Sequence, residues 1–225
     1  MKPYYSHKGI VIYHGDCRDI VPQLDQKIDC IITDPPYGIN YQSRKLSNKE
    51  TRCSKTKYEQ IKTTGDNKKF DPNFLLDFKV PTILFGANYY SSKLPDLASW
   101  IVWDKRKDPK FYGKNTFADC ELIWCSDNKP ARMYQQIWNG IIREGEESGK
   151  KDTGRKHPMQ KPVRLMQYCV NRISKRDQLI LDPFMGSGTT LLAAKRLQRK
   201  AIGIEIEESY CEIAAKRLSQ EVFEF

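Results

Sequence analysis

Histidine is scarce, with three residues in 225, and no Cys-x-x-Cys pair occurs. The seven cysteines stand scattered at 17, 30, 53, 120, 125, 169 and 211, mostly inside apolar runs. An odd, dispersed set excludes a disulfide framework and a zinc-ribbon pattern, and reads as buried free thiols. No stretch approaches the ~18 consecutive apolar residues of a membrane span. Met1-Lys2-Pro3-Tyr4-Tyr5 lacks the apolar run of a secretion signal, so a cytoplasmic location away from membranes is expected. Internal repeats and low-complexity tracts are also missing. Negative charge is in short supply: 28 Asp and Glu against 38 Lys and Arg leave +10, which favours a polyanionic partner.

What is present reads as one α/β domain over residues 1–225, since short apolar runs alternate with turns and helix-like spacing. Residues 9–16 (Gly-Ile-Val-Ile-Tyr-His-Gly-Asp) read as a strand closed by a Gly-Asp turn, and Asp19 to Leu24 as a short helix. Asp71 and Pro72 look like the N-cap and first position of a helix. Strands are expected at 82–86, 100–105 and 118–126, the last carrying Glu121 and Trp124. Val163, Leu165, Met166, Cys169, Val170 and Ile173 repeat with helical spacing. Two segments depart from this pattern. Residues 42–69 carry nine Lys/Arg against three Asp/Glu and almost no aliphatic side chains, which reads as a basic flap or a solvated loop. Residues 127–157, polar with a short apolar centre, read as an insertion without a large core of its own.

Two stretches carry chemistry. The run Ile28, Cys30, Ile31, Ile32 is a buried strand that stops at Asp34-Pro35-Pro36-Tyr37. The prolines fix φ and remove two backbone donors, so neither helix nor ladder can continue through them. Asp34 is thereby held at the carboxyl end of a strand, where open α/β sheets bind ligands. A carboxylate, carbonyls free to accept and the flat face of Tyr37 suit a planar group bearing an amine. A strand that merely ends in a proline turn with a capping Asp is the plainer alternative.

The second stretch is Gln178 to Leu181, a strand, followed by Asp182-Pro183-Phe184-Met185-Gly186-Ser187-Gly188-Thr189-Thr190, a helix and the strand Ala201 to Ile206. A glycine-rich turn brings backbone N–H groups close to a ligand, and Glu205 stands near the ~20-residue offset of ribose-binding acids. The third glycine of a dinucleotide fingerprint is replaced by Leu191, and no Lys-Ser/Thr follows Gly188 as in a phosphate loop. The turn therefore suits an adenosine without pyrophosphate, and S-adenosyl-L-methionine is the candidate.

Taken together, Asp34–Tyr37 followed by Phe184-Met185-Gly186-Ser187-Gly188 resembles the DNA amino-methyltransferases that use S-adenosylmethionine, in particular the β class, in which the motifs come in this order. The likeness spans roughly residues 9 to 218 and includes Gly15-Asp16-Cys17, Phe85 to Asn88, Trp103-Asp104-Lys105, His157 to Pro162, and Ile202 to Glu205 with Tyr210. It implies a Rossmann-like, doubly wound mixed sheet with one reversed strand, sequence-permuted so that the cofactor motifs come last, with a short inserted recognition segment. The cofactor contacts it implies are Asp16 and Cys17 at the adenine, Glu205 at the ribose, and Asp34, Lys161 and Pro162 towards the methionine. Asp182, Pro183, Phe184, Gly186, Ser187, Gly188 and Thr189 would form the turn beneath. Asp34, Pro35, Pro36 and Tyr37 would be catalytic, with Tyr37 stacking on a flipped base and Lys105, Arg106, Lys107 and Lys110 available to phosphate. DNA is the implied substrate, residues 127–157 the target-recognition segment, and a homodimer and a cognate restriction enzyme the implied partners.

Asp in the first motif position favours adenine N6 over cytosine N4 in that family. C5-cytosine chemistry needs a cysteine nucleophile after proline, and none of the twelve prolines precedes a cysteine. RNA methylation and a catalytically silent nucleic-acid-binding module are the remaining alternatives. A nucleotide-dependent dehydrogenase fits less well for want of the third glycine.

Overall fold

The computed structural model describes residues 1–40, 64–113, 118–139, 142–144 and 160–219. Most of the expected basic flap, the later part of the 127–157 insertion and His157 to Met159 lie outside the described residues. Eleven strands are described: β1 (Tyr5–His7), β2 (Ile10–His14), β3 (Cys30–Thr33), β4 (Thr82–Phe85), β5 (Trp100–Asp104), β6 (Cys120–Cys125), β7 (Arg132–Gln135), β8 (Trp138–Asn139), β9 (Ile142–Arg143), β10 (Leu179–Asp182) and β11 (Lys200–Glu205). Five helices accompany them: α1 (Cys17–Ile20), α2 (Asn73–Leu76), α3 (Val163–Ile173), α4 (Thr189–Arg196) and α5 (Glu208–Ser219).

Nine strands form one sheet in the order β1-β2-β11-β10-β3-β4-β6-β5-β7, while β8 and β9 pair as a separate hairpin. β1 and β6 run against the other seven. β6 is the reversed strand that the family likeness implies; β1 is a second one, at the edge. Its signal was a two-residue turn, Lys8-Gly9, with both φ values positive (46° and 78°), the geometry that closes a tight hairpin. β7 extends the far edge by pairing parallel with β5, so the early part of the presumed insertion belongs to the main sheet.

Strand side chains alternate between two cores. Ile12, Cys30, Ile32, Ile83, Phe85 and Ile180 face α3, α4 and α5. Leu181, Ile31, Leu84, Ile202 and Ile204 face α1, α2 and the aromatic Phe70. Each fully buried aliphatic side chain is worth about 1.5–3 kcal/mol before entropy is counted, and burial on both faces explains the uniformly apolar central strands. α3 buries Leu165, Met166, Cys169 and Val170, as its spacing predicts. Gly203 lets α4 approach β11: a Cβ there would stand 2.4 Å from Met185 Sδ and 2.8 Å from Leu191 Cδ2. α2 starts one residue later than expected, with Pro72 at the cap and Asp71 Oδ1 accepting from Asn73 N at 3.2 Å.

The strand order reverses between β10 and β3, whose chains leave in opposite directions around the sheet. Asp34 follows one and the glycine turn follows the other. Both chemical stretches therefore meet at the switch point, where a cleft opens above the carboxyl ends of the strands.

Candidate active site

On the cofactor side the ligand surface is made chiefly of backbone. Gly186 and Gly188 take left-handed conformations (φ 50° and 75°), and a Cβ on Gly188 would sit 2.8 Å from Ala214 Cβ of α5. Glu205 ends β11 and is tied to this turn: its Oε2 accepts from Gly186 N at 2.9 Å and its Oε1 from Glu207 N at 2.9 Å. Burial pushes its carboxyl up, and those two amides pull it back. A carboxylate has about four acceptor sites, so accepting capacity remains for a ribose hydroxyl, and the residues fit the adenosine of S-adenosylmethionine. Gly15 N donates to Glu205 O at 2.9 Å, which brings Asp16 beside the same edge. Asp16 caps α1 by accepting from Arg18 N at 2.8 Å.

Several predicted cofactor residues support the turn from behind. The Cys17 thiol lies in the core, where burial pushes it up to about 12, so it packs and does not react. Asp182 Oδ1 accepts from Thr33 Oγ1 at 2.7 Å and from Phe184 N at 3.2 Å, which pins β10 to β3. Burial pushes the Asp182 carboxyl up to about 6. Arg217 Nη1 donates to Ser187 O at 2.6 Å and lies 3.5 Å from Thr189 Oγ1. Pro183 is buried, whereas half-buried Phe184 meets Phe70 edge-on at 5.7 Å.

The catalytic side is made of ions. Tyr37 Oη donates to Asp34 Oδ1 at 2.6 Å, and Lys161 Nζ donates to Asp34 Oδ2 at 2.5 Å. Lys161 Nζ also stands 3.1 Å from Glu121 Oε1, and Lys105 Nζ donates to Glu121 Oε2 at 2.7 Å. Two carboxylates and two ammonium groups thus alternate in a chain beneath the Pro-Pro-Tyr turn. Burial raises the Asp34 carboxyl, and Lys161 pulls it back without cancelling the shift. Burial opposes ionisation of Glu121 too, but Lys161 and Lys105 together outweigh it and hold Glu121 at about 2. Lys161 stays above the usual lysine range because its two carboxylates outweigh burial. Pro162 is the cap of α3 and delivers Lys161 to this spot.

The Tyr37 ring stacks on Tyr89 with centroids 5.1 Å apart and planes at 15°, and Tyr89 is half exposed. Gly86 (φ 60°) makes room: a Cβ there would lie 2.1 Å from the Tyr37 ring. The described end of the basic segment folds back onto both halves. Buried Asp66 accepts from Gly38 N at 2.7 Å, and Thr64 Oγ1 donates to Glu207 Oε1 at 2.6 Å. Gly38 (φ 77°) has the Lys68 carbonyl 2.4 Å from where a Cβ would be.

All four of the predicted phosphate contacts are already paired with carboxylates. Lys105 holds Glu121, buried Arg106 Nε donates to Asp119 Oδ1 at 3.0 Å, and Lys107 Nζ donates to Glu144 Oε1 at 2.7 Å. Lys110 Nζ stands 2.8 Å from Asp108 Oδ2, but its side chain is 68% exposed, beside half-exposed Phe111. Sequence reasoning left Tyr89, Asp66 and the role of Glu121 unassigned. Glu121 had one visible signal, an acid inside an otherwise apolar strand.

The permuted switch-point sheet, with reversed β6, a glycine turn on one side and Asp-Pro-Pro-Tyr on the other, defines the class I methyltransferase fold. Comparisons narrow it. The family model described as DNA methylase (N6_N4_Mtase) matches residues 126–216. The chain is similar to the type II methyltransferase M2.DpnII of Streptococcus pneumoniae, at 28% identity over 98% of this chain and 93% of that protein. It is also 26% identical to M2.LlaDCHI of Lactococcus lactis subsp. cremoris, over 97% of this chain and 93% of that one. Among solved structures, the M1.HpyAVI complex with S-adenosylmethionine matches with a TM-score of 0.53 at 27% identity, covering 93% of this chain and 98% of that one. The PvuII cytosine-N4 methyltransferase shares the fold, with a TM-score of 0.63 at 18% identity over 99% of this chain and 91% of that one. Motifs, fold and comparisons together identify an S-adenosylmethionine-dependent DNA amino-methyltransferase.

Proposed function

We propose that this enzyme methylates the N6 amine of adenine in DNA after the base leaves the duplex. The observation that carries the reading is the Asp34 carboxylate, set between Tyr37 and Lys161 at the switch point. An exocyclic amine is a poor nucleophile because its lone pair is delocalised into the ring. Acceptors on both N–H bonds, Asp34 and the Pro35 carbonyl, draw the nitrogen towards tetrahedral geometry and localise that pair. When bound, S-adenosylmethionine supplies a methyl group on a sulfonium sulfur. With that group bound, the C–S electron pair would leave on sulfur, and Asp34 or water would take the amine proton. Burial favours the reaction because Asp34 is then stripped of competing water.

The Tyr37–Tyr89 stack offers the flipped base an aromatic neighbour, and outward Lys110 with Phe111 supports a DNA contact beside the cleft. Residues 42–69 and 127–157 are the segments proposed to grip the duplex and read its sequence. The type II relatives support pairing with a cognate restriction enzyme and a cytoplasmic, nucleoid-associated setting. A homodimer would widen a recognition surface that is small in one chain.

The test is methyl transfer from radiolabelled S-adenosylmethionine to unmethylated genomic DNA, with Asp34→Ala alongside and digestion to nucleosides. Label in N6-methyladenosine that disappears in the variant is expected. Label in N4-methylcytosine would keep the chemistry and overturn the base. Cofactor binding with no label in DNA would turn attention to RNA or to a silent module.

A further inference from the structure

The carboxylate that must accept the substrate amine is already engaged at both oxygens. Lys161 occupies Oδ2, which helps, since a cation there keeps Asp34 ionised. The Tyr37 hydroxyl on Oδ1 is different, because it competes for the oxygen on the tyrosine side of the pocket. A phenol has one hydrogen to give, and two anionic acceptors stand within its reach. They are Asp34 Oδ1 at 2.6 Å and Glu121 Oε1 at 3.1 Å. Only one can be served at a time.

We propose that Glu121 is a positioning residue that takes over the Tyr37 hydrogen bond when the target amine engages Asp34. The hydroxyl hydrogen rotates about the C–O bond from Oδ1 to Oε1, and Asp34 Oδ1 is released to the amine. Little else has to move, because both acceptors are already in place. The distances favour Asp34 as acceptor in the free enzyme, whereas an incoming N–H reverses the preference by bringing a competing donor to Oδ1. Glu121 suits the role because Lys105 on Oε2 and Lys161 on Oε1 fix its two oxygens and favour the anion, an acceptor with no hydrogen of its own. Gly86 and Tyr89 hold the Tyr37 ring still, so only the hydroxyl torsion changes. The inference rests on the amine-methylation reading above.

A double-mutant cycle between Glu121→Gln and Tyr37→Phe tests it. Single-turnover methyl transfer is measured on whichever polynucleotide the unmodified enzyme methylates, and adenosine affinity is measured by calorimetry with the cofactor site saturated by S-adenosylhomocysteine, so that adenosine reports the amine site without turnover. Glu121→Gln is expected to slow transfer about 10-fold when the hydroxyl is present and less than about 2-fold in the Tyr37→Phe background, where no hydrogen bond needs rehousing. Adenosine affinity is expected to show the same coupling. Equal losses in both backgrounds, in rate and in affinity, would overturn the proposal and leave Glu121 as a counter-ion for the lysines. Absence of any methyl transfer to DNA by the unmodified enzyme would sink the function reading instead, and the adenosine cycle would still decide this one.

Discussion

The two sides of the cleft are built from different materials. The cofactor side uses backbone amides, two left-handed glycines and one carboxylate tied to the turn. The catalytic side uses side-chain charges from four separate places in the chain, Asp34, Lys105, Glu121 and Lys161. A backbone cradle tolerates no bulk but needs no exact protonation state. A cluster of buried charges tolerates shape changes poorly for another reason: removing one ion leaves its partner uncompensated in a low-dielectric site. Substitutions should therefore separate cleanly into those that lose ligand affinity and those that lose chemistry.

The sharpest separation should come from Asp34→Ala, which is expected to lower methyl transfer by about 10³-fold or more. Its cofactor affinity should stay within a few-fold of the parent, as measured by calorimetry. Loss of both together would show that the two sides are not separate. Gly188→Val should do the reverse and weaken cofactor binding first. The new Cβ meets Ala214 and the backbone must hold a left-handed φ, which costs on the order of 1–3 kcal/mol. A calorimetric midpoint several degrees lower is expected, at about 2–4 °C per kcal/mol for a chain of this size.

Acid should act on the catalytic side. The proposed role needs Asp34 unprotonated, and burial raises its carboxyl, so the rate should fall as pH falls through a value above the ordinary carboxylate range. Glu121, held at about 2, stays ionised across that window, so a single acid limb is expected in the pH–rate profile.

The last effect bears on stability alone and concerns Asp182 beneath the turn. Its folded value of about 6 lies above that of an unfolded Asp, so the native state binds the extra proton between the two values and stability falls as pH rises through about 6. The loss is up to about 3 kcal/mol, at ~1.4 kcal/mol per unit. Denaturant unfolding of Asp182→Asn should lack that part of the slope between pH 4 and 7 on the order of magnitude stated. An unchanged slope would assign it to the raised carboxyls of Asp34 and Glu205 instead.

The same contrast explains what could be read from the sequence. A backbone cradle requires glycines at fixed spacing within a dozen residues, so Gly186, Gly188 and, after one crossover, Glu205 were legible as a unit. Asp34 to Tyr37 was legible for the same reason, since two prolines after an apolar run leave few conformations. The charge chain was not, because its members come from the ends of β3, β5 and β6 and from the cap of α3, and adjacency depends on strand order. Lys161 was placed at the cofactor by family likeness, and its neighbours turn out to be Asp34 and Glu121. The four basic residues after β5 looked free for phosphate because sequence shows a basic side chain but not the carboxylate beside it. β1 escaped notice because a three-residue strand is too short for its alternation to register, although its turn was visible.

The strand order has a consequence for the chain as it is made. β10 and β11 fill the middle of the sheet, between β3 and β2, yet they are the last strands among the described residues. A chain emerging from the ribosome therefore presents the inner edges of β2 and β3, rich in isoleucine, with nothing beside them until Glu205 has left the exit tunnel. Unpaired apolar edges recruit other chains. Protection from aggregation and competence for chemistry arrive together, when the late strands slide into the gap.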